Sequence, residues 1–176
     1  MEEKKHVVLV VDDEVAVRNA LVRTLRKEPW RVLVAASARE GLSILGETKV
    51  DLVISDHRMP EMTGLDFLKR VRAEYPDTVR IMLTGQADMD TVIAAINEGE
   101  IYRFITKPWN DEDLRITLRI ALSQLDLERE NRRLLSELKK HDSFLARLEK
   151  AHPGLFEVKR DERGAIVIDE EDLGDL

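Results

Sequence analysis

Three things are missing from this chain of 176 residues, and each absence narrows its possible functions. It contains no cysteine, which excludes a disulfide framework and a thiolate metal site and fits a reducing cytoplasm. The apolar run nearest its start, residues 7–11, is too short for a signal-peptide core or a membrane span. It also lacks the basic excess that nucleic-acid binding requires, since its formal net charge is -7. We therefore expect a soluble cytoplasmic protein without a membrane segment or a nucleic-acid-binding domain.

Glycine and proline, in turn, are absent between Asn110 and Pro153, and this divides the chain in two. Before that stretch, short and nearly all-apolar runs alternate with segments whose apolar residues recur at helical spacing. The runs cover residues 7–11, 32–34, 52–54, 81–83 and 104–105. Five strands, each followed by a helix, predict an α/β domain with a parallel sheet buried on both faces and right-handed crossovers.

Four of the predicted strands end at residues that suit phosphoryl chemistry. The first leads into Asp12 and Asp13, the third into Asp56, the fourth into Thr84 and the fifth into Lys107. In open parallel sheets, ligands bind beyond the carboxyl ends of the strands, where the strand order reverses. We adopt the order 2-1-3-4-5 as a hypothesis, because it brings the carboxylates of the first and third strands together.

The acidic residues of this group predict a site for a hard divalent cation, Mg²⁺ or Mn²⁺. Asp13 and Asp56 are candidate direct ligands, Asp12 is a candidate ligand through water, and the backbone carbonyl of Arg58 is a further candidate. Such a cation would screen the charge of an incoming phosphoryl donor, so that a carboxylate can act as the nucleophile.

Lys107 and Thr84 complete the predicted site as ligands for phosphate oxygens, one through its ammonium and the other through its hydroxyl. Each residue alone has an ordinary structural explanation, since an Asp-Asp pair after a strand is commonly a turn and a helix N-cap. The functional interpretation therefore depends on all four strand ends meeting at one edge of the sheet.

The same residues lie in segments that resemble the receiver domain of two-component response regulators, over residues 5–125. The matching segments are Val-Asp-Asp-Glu at 11–14, Ser-Asp-His-Arg-Met-Pro at 55–60, Gly64, Thr84-Gly85 and Lys107-Pro108. The resemblance implies a flavodoxin-like, doubly wound sheet in the order 2-1-3-4-5. It also implies that Asp56 accepts a phosphoryl group from a histidine kinase or phosphotransfer protein, with Asp12, Asp13 and Mg²⁺ assisting.

Further roles follow from the resemblance. Thr84 and Phe104 correspond to the residues that switch position on phosphorylation. Independently of the resemblance, Tyr102 alternates with Phe104 along the predicted strand, which makes it a candidate to share the surface of Phe104. Arg58 and Gln86 correspond to positions that control phosphoryl lifetime. The Lys107–Pro108 peptide bond is expected to be cis, an isomer that proline makes accessible. His57, beside the nucleophile, is interpreted mainly as a loop residue.

The chain beyond residue 125 has a different pattern, rich in Leu, Arg, Glu and Lys. Apolar residues with one Asn and one His alternate in steps of four and three, which is typical of a coiled-coil seam. The seam comprises Leu127, Asn131, Leu134, Leu138, His141, Leu145 and Leu148. We predict a receiver domain at 1–125, a helical extension at 126–152, and a hairpin-like and acidic tail at 153–176. Asn131 in the seam favours a parallel homodimer in fixed register.

Several functions remain open from the sequence. The signal would pass through the fourth helix, fifth strand and fifth helix to a coiled-coil dimer or partner, but a constitutive dimer is an alternative. A receiver-like scaffold or adaptor that works without phosphorylation is another. A phosphatase of the haloacid-dehalogenase type is disfavoured, because Arg58 stands where those enzymes carry a second acid. We thus expect a phosphoacceptor signalling protein rather than an enzyme.

Overall fold

A computed structural model describes residues 6–151, apart from the side chains of Gln86, Met89 and Glu149. Strands and helices alternate along these residues, as the sequence predicts. The strands are β1 (Val7–Val11), β2 (Arg31–Ala35), β3 (Leu52–Asp56), β4 (Val79–Thr84) and β5 (Arg103–Thr106). The helices are α1 (Val15–Leu25), α2 (Ala38–Glu47), α3 (Gly64–Glu74), α4 (Met89–Asn97) and α5 (Asp111–Ala151), with a short 3-10 helix at Gln86–Asp88.

The five strands form one parallel sheet in the order β2-β1-β3-β4-β5. The predicted flavodoxin-like order is therefore confirmed. The order reverses between β1 and β3, where Val11 pairs with Ser55. Asp12 and Asp56 are the next residues after this pair. They consequently lie side by side at the carboxyl ends of neighbouring strands, on the same edge of the sheet.

Two hydrophobic clusters cover the two faces of the sheet. Leu9 and Val11 of β1 point into the cluster formed with α2, α3 and α4, whereas Val8 and Val10 point into the cluster formed with α1 and α5. All five residues of β3 are buried, which matches a strand enclosed between helices. The nearly continuous apolar character of the strands is thus explained by burial on both sides.

Side-chain caps fix the starts of three helices. Ser37 Oγ accepts a hydrogen bond from the Glu40 amide, and Thr63 Oγ1 accepts one from the Asp66 amide. At the start of α5, Asn110 Oδ1 accepts hydrogen bonds from the amides of Glu112 (2.8 Å) and Asp113 (3.2 Å). Each cap satisfies amides that have no partner inside the helix.

Helix α5 belongs to two compact units, because the chain divides between them after Glu128. In the first unit, its buried residues join the cluster that also contains α1; these are Leu114, Leu118, Ala121, Leu122 and Leu125. In the second unit, the predicted seam residues Leu134, Leu138 and Leu145 are exposed, at 45%, 59% and 45% of their surface. The predicted boundaries at 125 and 152 remain predictions.

The predicted hairpin and acidic tail at 153–176 lie outside the described residues. Within residues 6–151, no helix is both long enough and apolar enough to cross a membrane.

Candidate functional site

Lys107 lies between two of the predicted acidic residues at the carboxyl edge of the sheet. Its Nζ atom is 3.1 Å from Asp12 Oδ2 and 2.6 Å from Asp56 Oδ1. The Asp12 side chain is fully buried, and that of Asp56 is 10% exposed. The structure therefore brings together the ends of β1, β3 and β5, as the strand order requires.

Backbone hydrogen bonds extend the sheet beyond the strand ends and hold these residues in place. The Asp12 amide donates to Ala35 O at 3.2 Å, and the His57 amide donates to Leu83 O at 2.9 Å. The Lys107 amide donates to the carbonyl of Thr84 at 2.8 Å. Because these bonds continue the strand pairing, the positions of the functional residues are set by the sheet.

Burial and ion pairing shift the pKa of each of two residues, Asp12 and Lys107, in opposite directions. Burial raises the pKa of Asp12, while hydrogen bonds from the Glu14 amide and Lys107 only partly offset it. Burial alone would lower the pKa of Lys107, but its hydrogen bonds with Asp56 and Asp12 outweigh that effect and raise it. Lys107 therefore remains protonated and forms ion pairs with the carboxylates of both Asp12 and Asp56.

Thr84 ends β4 with a fully buried side chain, and its Oγ1 atom donates to the Gly85 carbonyl at 3.1 Å. Its carbonyl accepts from the amide of Lys107, so the two predicted phosphate ligands are neighbours along the sheet edge. Asp13 is exposed beside the buried Asp12.

The predicted cation requires hard oxygen donors at the carboxyl edge of the sheet. Among the described residues, no group of three or more Asp, Glu, His or Cys side chains is arranged to hold a metal ion. However, Mg²⁺ is often held by only one or two carboxylates, with water and substrate oxygens completing its shell. Asp12 and Asp56 offer hard oxygen donors that both face one atom, Lys107 Nζ. The chemistry of this pair fits such an ion.

Arg58 connects the loop after Asp56 to the start of α4. Its amide donates to Asp56 Oδ2 at 2.8 Å, and its guanidinium donates to both carboxylate oxygens of Asp88, at 2.9 and 2.7 Å. The hydrogen bonds from Arg58 hold the pKa of Asp88 below its ordinary value. His57 Nε2 is 3.9 Å from the same carboxylate. The side chain of Gln86, the second predicted lifetime residue, lies outside the description.

Asp88 was missed by sequence reasoning. The available signal was its position just before an apolar helical segment, where acidic residues are favoured. That signal does not identify Arg58 as the partner, because the two residues are 30 positions apart.

Gly64 approaches the backbone of Asp56 more closely than any side chain would allow. A Cβ atom there would lie 1.8 Å from the Asp56 carbonyl oxygen. The Gly64 amide donates to His57 O at 2.8 Å, which holds the start of α3 against the end of β3. The glycine is therefore required by contact and not by an unusual backbone angle.

The aromatic residues near β5 are separated by the sheet. Phe104 packs against the cluster that contains α2, α3 and α4, whereas Tyr102 packs against the cluster that contains α1 and α5. The Tyr102 hydroxyl donates to Gln124 Oε1 at 3.0 Å. The expectation that the two rings share a surface is wrong. The Lys107–Pro108 bond is cis, as expected.

Comparison with known proteins identifies the family. The family model for the response regulator receiver domain matches residues 8–119. The chain belongs to this family. It is 42% identical over 139 residues to the hydrogenase transcriptional regulatory protein HoxA of Cupriavidus necator, covering 79% of this chain and 29% of that protein. It is 36% identical over 150 residues to the response regulator protein TmoT of Ectopseudomonas mendocina, covering 85% of this chain and 67% of that protein.

A solved structure supports the same assignment. The signal receiver domain of an HD domain-containing protein from Pseudomonas fluorescens Pf-5 is 39% identical, with a TM-score of 0.69, covering 74% of this chain and 96% of that one. The chain spans less than a third of HoxA. Residues 8–119 thus form a receiver domain of the kind that serves two-component signalling.

Proposed function

We propose that Asp56 accepts a phosphoryl group from a histidine kinase or phosphotransfer protein. The observation that carries this proposal is the contact of Asp56 Oδ1 with Lys107 Nζ at 2.6 Å, beside the buried Asp12. An anionic oxygen at the sheet edge is thereby oriented by a fixed cation. We also propose that the protein acts in the cytoplasm and has no enzymatic turnover of its own beyond assisting the gain and loss of this group.

In the proposed transfer, a carboxylate oxygen of Asp56 attacks the phosphorus atom of a phosphohistidine. A P–O bond forms as the P–N bond breaks, and its electron pair returns to the imidazole. Lys107 would neutralise the phosphoryl oxygens, and Thr84 would donate its hydroxyl to one of them. Asp12, Asp13, Asp56 and the carbonyl of Arg58 would hold Mg²⁺ or Mn²⁺, which supplies charge neutralisation when bound.

The signal would leave the site along α4, β5 and α5. The phosphoryl group adds up to about two negative charges, and the reorientation of Thr84 toward it would open space for Phe104. Arg58 and Gln86 would modulate the lifetime of the modification. The helical extension at 126–152 would then form a coiled coil with a second copy or with another protein.

Incubation with acetyl phosphate and Mg²⁺, followed by mass measurement of the intact chain, tests the proposal. The wild type should gain one phosphoryl group, and Asp56→Ala should gain none. Asp142→Asn, a change at an exposed residue of the extension, is the control and should behave as the wild type. A wild type that gains nothing would instead favour the scaffold that works without phosphorylation.

A further inference from the structure

We infer that the helical extension binds a helix of another protein whose seam is flanked by lysine or arginine, in preference to a second copy of this chain. The inference rests on the proposed function, which assigns the output to this segment. It comes from the arrangement of charges on α5 beyond Glu128.

The apolar stripe on this part of α5 has coiled-coil spacing, and all of its leucines except Leu148 are exposed. In heptad notation, Asn131, Leu138 and Leu145 are a positions, and the d positions are Leu127, Leu134, His141 and Leu148. The a and d side chains of a coiled coil insert into the facing helix. Leu138 exposes 59% of its surface, so the stripe has the character of a surface that a partner covers.

The positions beside the seam are acidic or apolar, and none of them is basic. Glu130 and Glu137 are g positions, and Glu128, Asp142 and Glu149 are e positions. The remaining e and g positions are apolar: Leu135 and Phe144, exposed at 57% and 54%, and Ala151 at the end of the helix. The basic residues lie at the outer b, c and f positions; they are Arg129, Arg132, Arg133, Lys139, Lys140, Arg147 and Lys150.

This arrangement opposes pairing with a second copy in either direction. In a parallel pair, g residues face e residues of the partner, so Glu137 of one copy meets Asp142 of the other. In an antiparallel pair, e meets e and g meets g, and acids again meet acids or apolar groups. Like charges that face each other cost free energy. The polar residues Asn131 and His141 fix the register of a symmetric parallel seam at a cost in its stability, because they replace apolar groups at a and d positions.

A partner with basic e and g positions turns the contacts of the acidic flanking residues into attractions. Glu130 already pairs with Arg133 within the helix at 2.7 Å, so Glu137 and Asp142 carry most of the complementarity. The apolar flanks at Leu135 and Phe144 widen the seam and suit a partner that also has apolar residues at some flanking positions. The fitting partner is an amphipathic helix with a leucine seam and flanking Lys or Arg.

Self-association of the full chain, measured by analytical ultracentrifugation at low salt, gives the first test. Glu137→Lys should tighten self-association about tenfold, because both Glu137–Asp142 repulsions of a parallel pair become attractions. The double variant Ser136→Lys/Ser143→Lys changes the net charge by the same amount at the outer f positions and should match the wild type. A tight wild-type dimer that Glu137→Lys leaves unchanged would overturn the inference.

Binding of synthetic helices gives the second test. One peptide carries Leu at a and d with Lys at e and g, a second carries Glu at e and g, and a third is the Lys peptide in scrambled order. The full chain should bind the Lys peptide at least about tenfold more tightly than either other peptide, and added salt should weaken binding. Glu137→Lys/Asp142→Lys should reverse the preference. Equal affinity for the Lys peptide and its scrambled form would refute the inference.

The two tests are separable from the test of phosphorylation. Peptide preference is measured on the unmodified chain, so failure of Asp56 to accept a phosphoryl group would leave this result standing. Conversely, a modified Asp56 with no peptide preference would overturn only the inference about the partner.

Discussion

Gly64 shows how a single side-chain hydrogen can be required at the centre of this site. A Cβ atom at that position would meet the Asp56 carbonyl oxygen at 1.8 Å, and neither backbone segment can move without displacing β3 or α3. We expect Gly64→Ala to lower the free energy of unfolding by at least about 3 kcal/mol, the scale of severe overpacking. Urea denaturation measures this loss.

Gly46→Ala is the matched control for that experiment. Gly46 lies within α2, where an added Cβ would meet only the Tyr75 hydroxyl, at 3.7 Å. Alanine is a better helix former than glycine, so this variant should be as stable as the wild type or more stable by up to about 1 kcal/mol. Equal losses in the two variants would contradict the steric explanation.

The Arg58–Asp88 pair should be visible in the acid stability of the protein. The pKa of Asp88 is lowered in the folded state, so the pair adds stability above the ordinary pKa of the group and loses it as pH falls through the folded value. From about pH 4 downward, Asp88→Asn should therefore show a shallower fall of melting temperature than the wild type. Circular dichroism melts across this range test the prediction, with exposed Asp90→Asn as control.

Residues that follow strands could be predicted from sequence, and residues that join two loops could not. Asp12, Asp56 and Lys107 each follow a short apolar run, and the order of parallel strands then brings them together. Arg58 lies in the loop after β3 and Asp88 in the short 3-10 helix before α4, so nothing local in the sequence links them. Their pairing depends on the distance between two loops, which only the folded chain defines.

At the scale of one helix, the start of α5 depends on a cap from Asn110. Its side chain accepts from two amides that have no partner within the helix. We expect Asn110→Ala to cost about 1 kcal/mol of unfolding free energy, the typical loss of such a cap. Ser123→Ala, at an exposed position of the same helix, is the control and should cost nothing. Similar losses in both variants would show that the cap is unimportant.

The strands and helices were predictable from the spacing of apolar residues. The face of the sheet on which each side chain lies was not always predictable. Strand β5 begins at Arg103, so Tyr102 precedes it and is not bound by the alternation of side chains within a strand. Counting two residues back from Phe104 therefore placed the tyrosine on the wrong face. Boundaries of this kind depend on where pairing with β4 starts, and the first paired residue is Arg103.

At the scale of the whole molecule, the buried core ends before the seam begins. Among residues 6–151, both hydrophobic clusters draw on residues no later than Leu125, and the chain divides after Glu128. A chain ending at Glu128 should therefore melt within a few degrees of the full protein and still accept phosphate on Asp56. Melting and mass measurements test this.

A shorter chain ending at Arg119 is the control. It lacks buried Ala121, Leu122 and Leu125, and the loss of such large apolar groups from a core costs about 3 kcal/mol or more. This chain should be much less stable than the one ending at Glu128. If both chains are equally stable, residues 120–128 of α5 contribute nothing to the stability of the core.

The continuity of α5 affects the affinity with which a partner can bind the distal part of the helix. Starting a helix is the unfavourable event, and adding turns to an existing one is easy. Because Asp111–Ala151 is a single helix, the distal segment grows from turns that the interior already immobilises. A partner that binds there meets a helix that is already formed. The chain therefore loses less conformational entropy on binding than a disordered segment would.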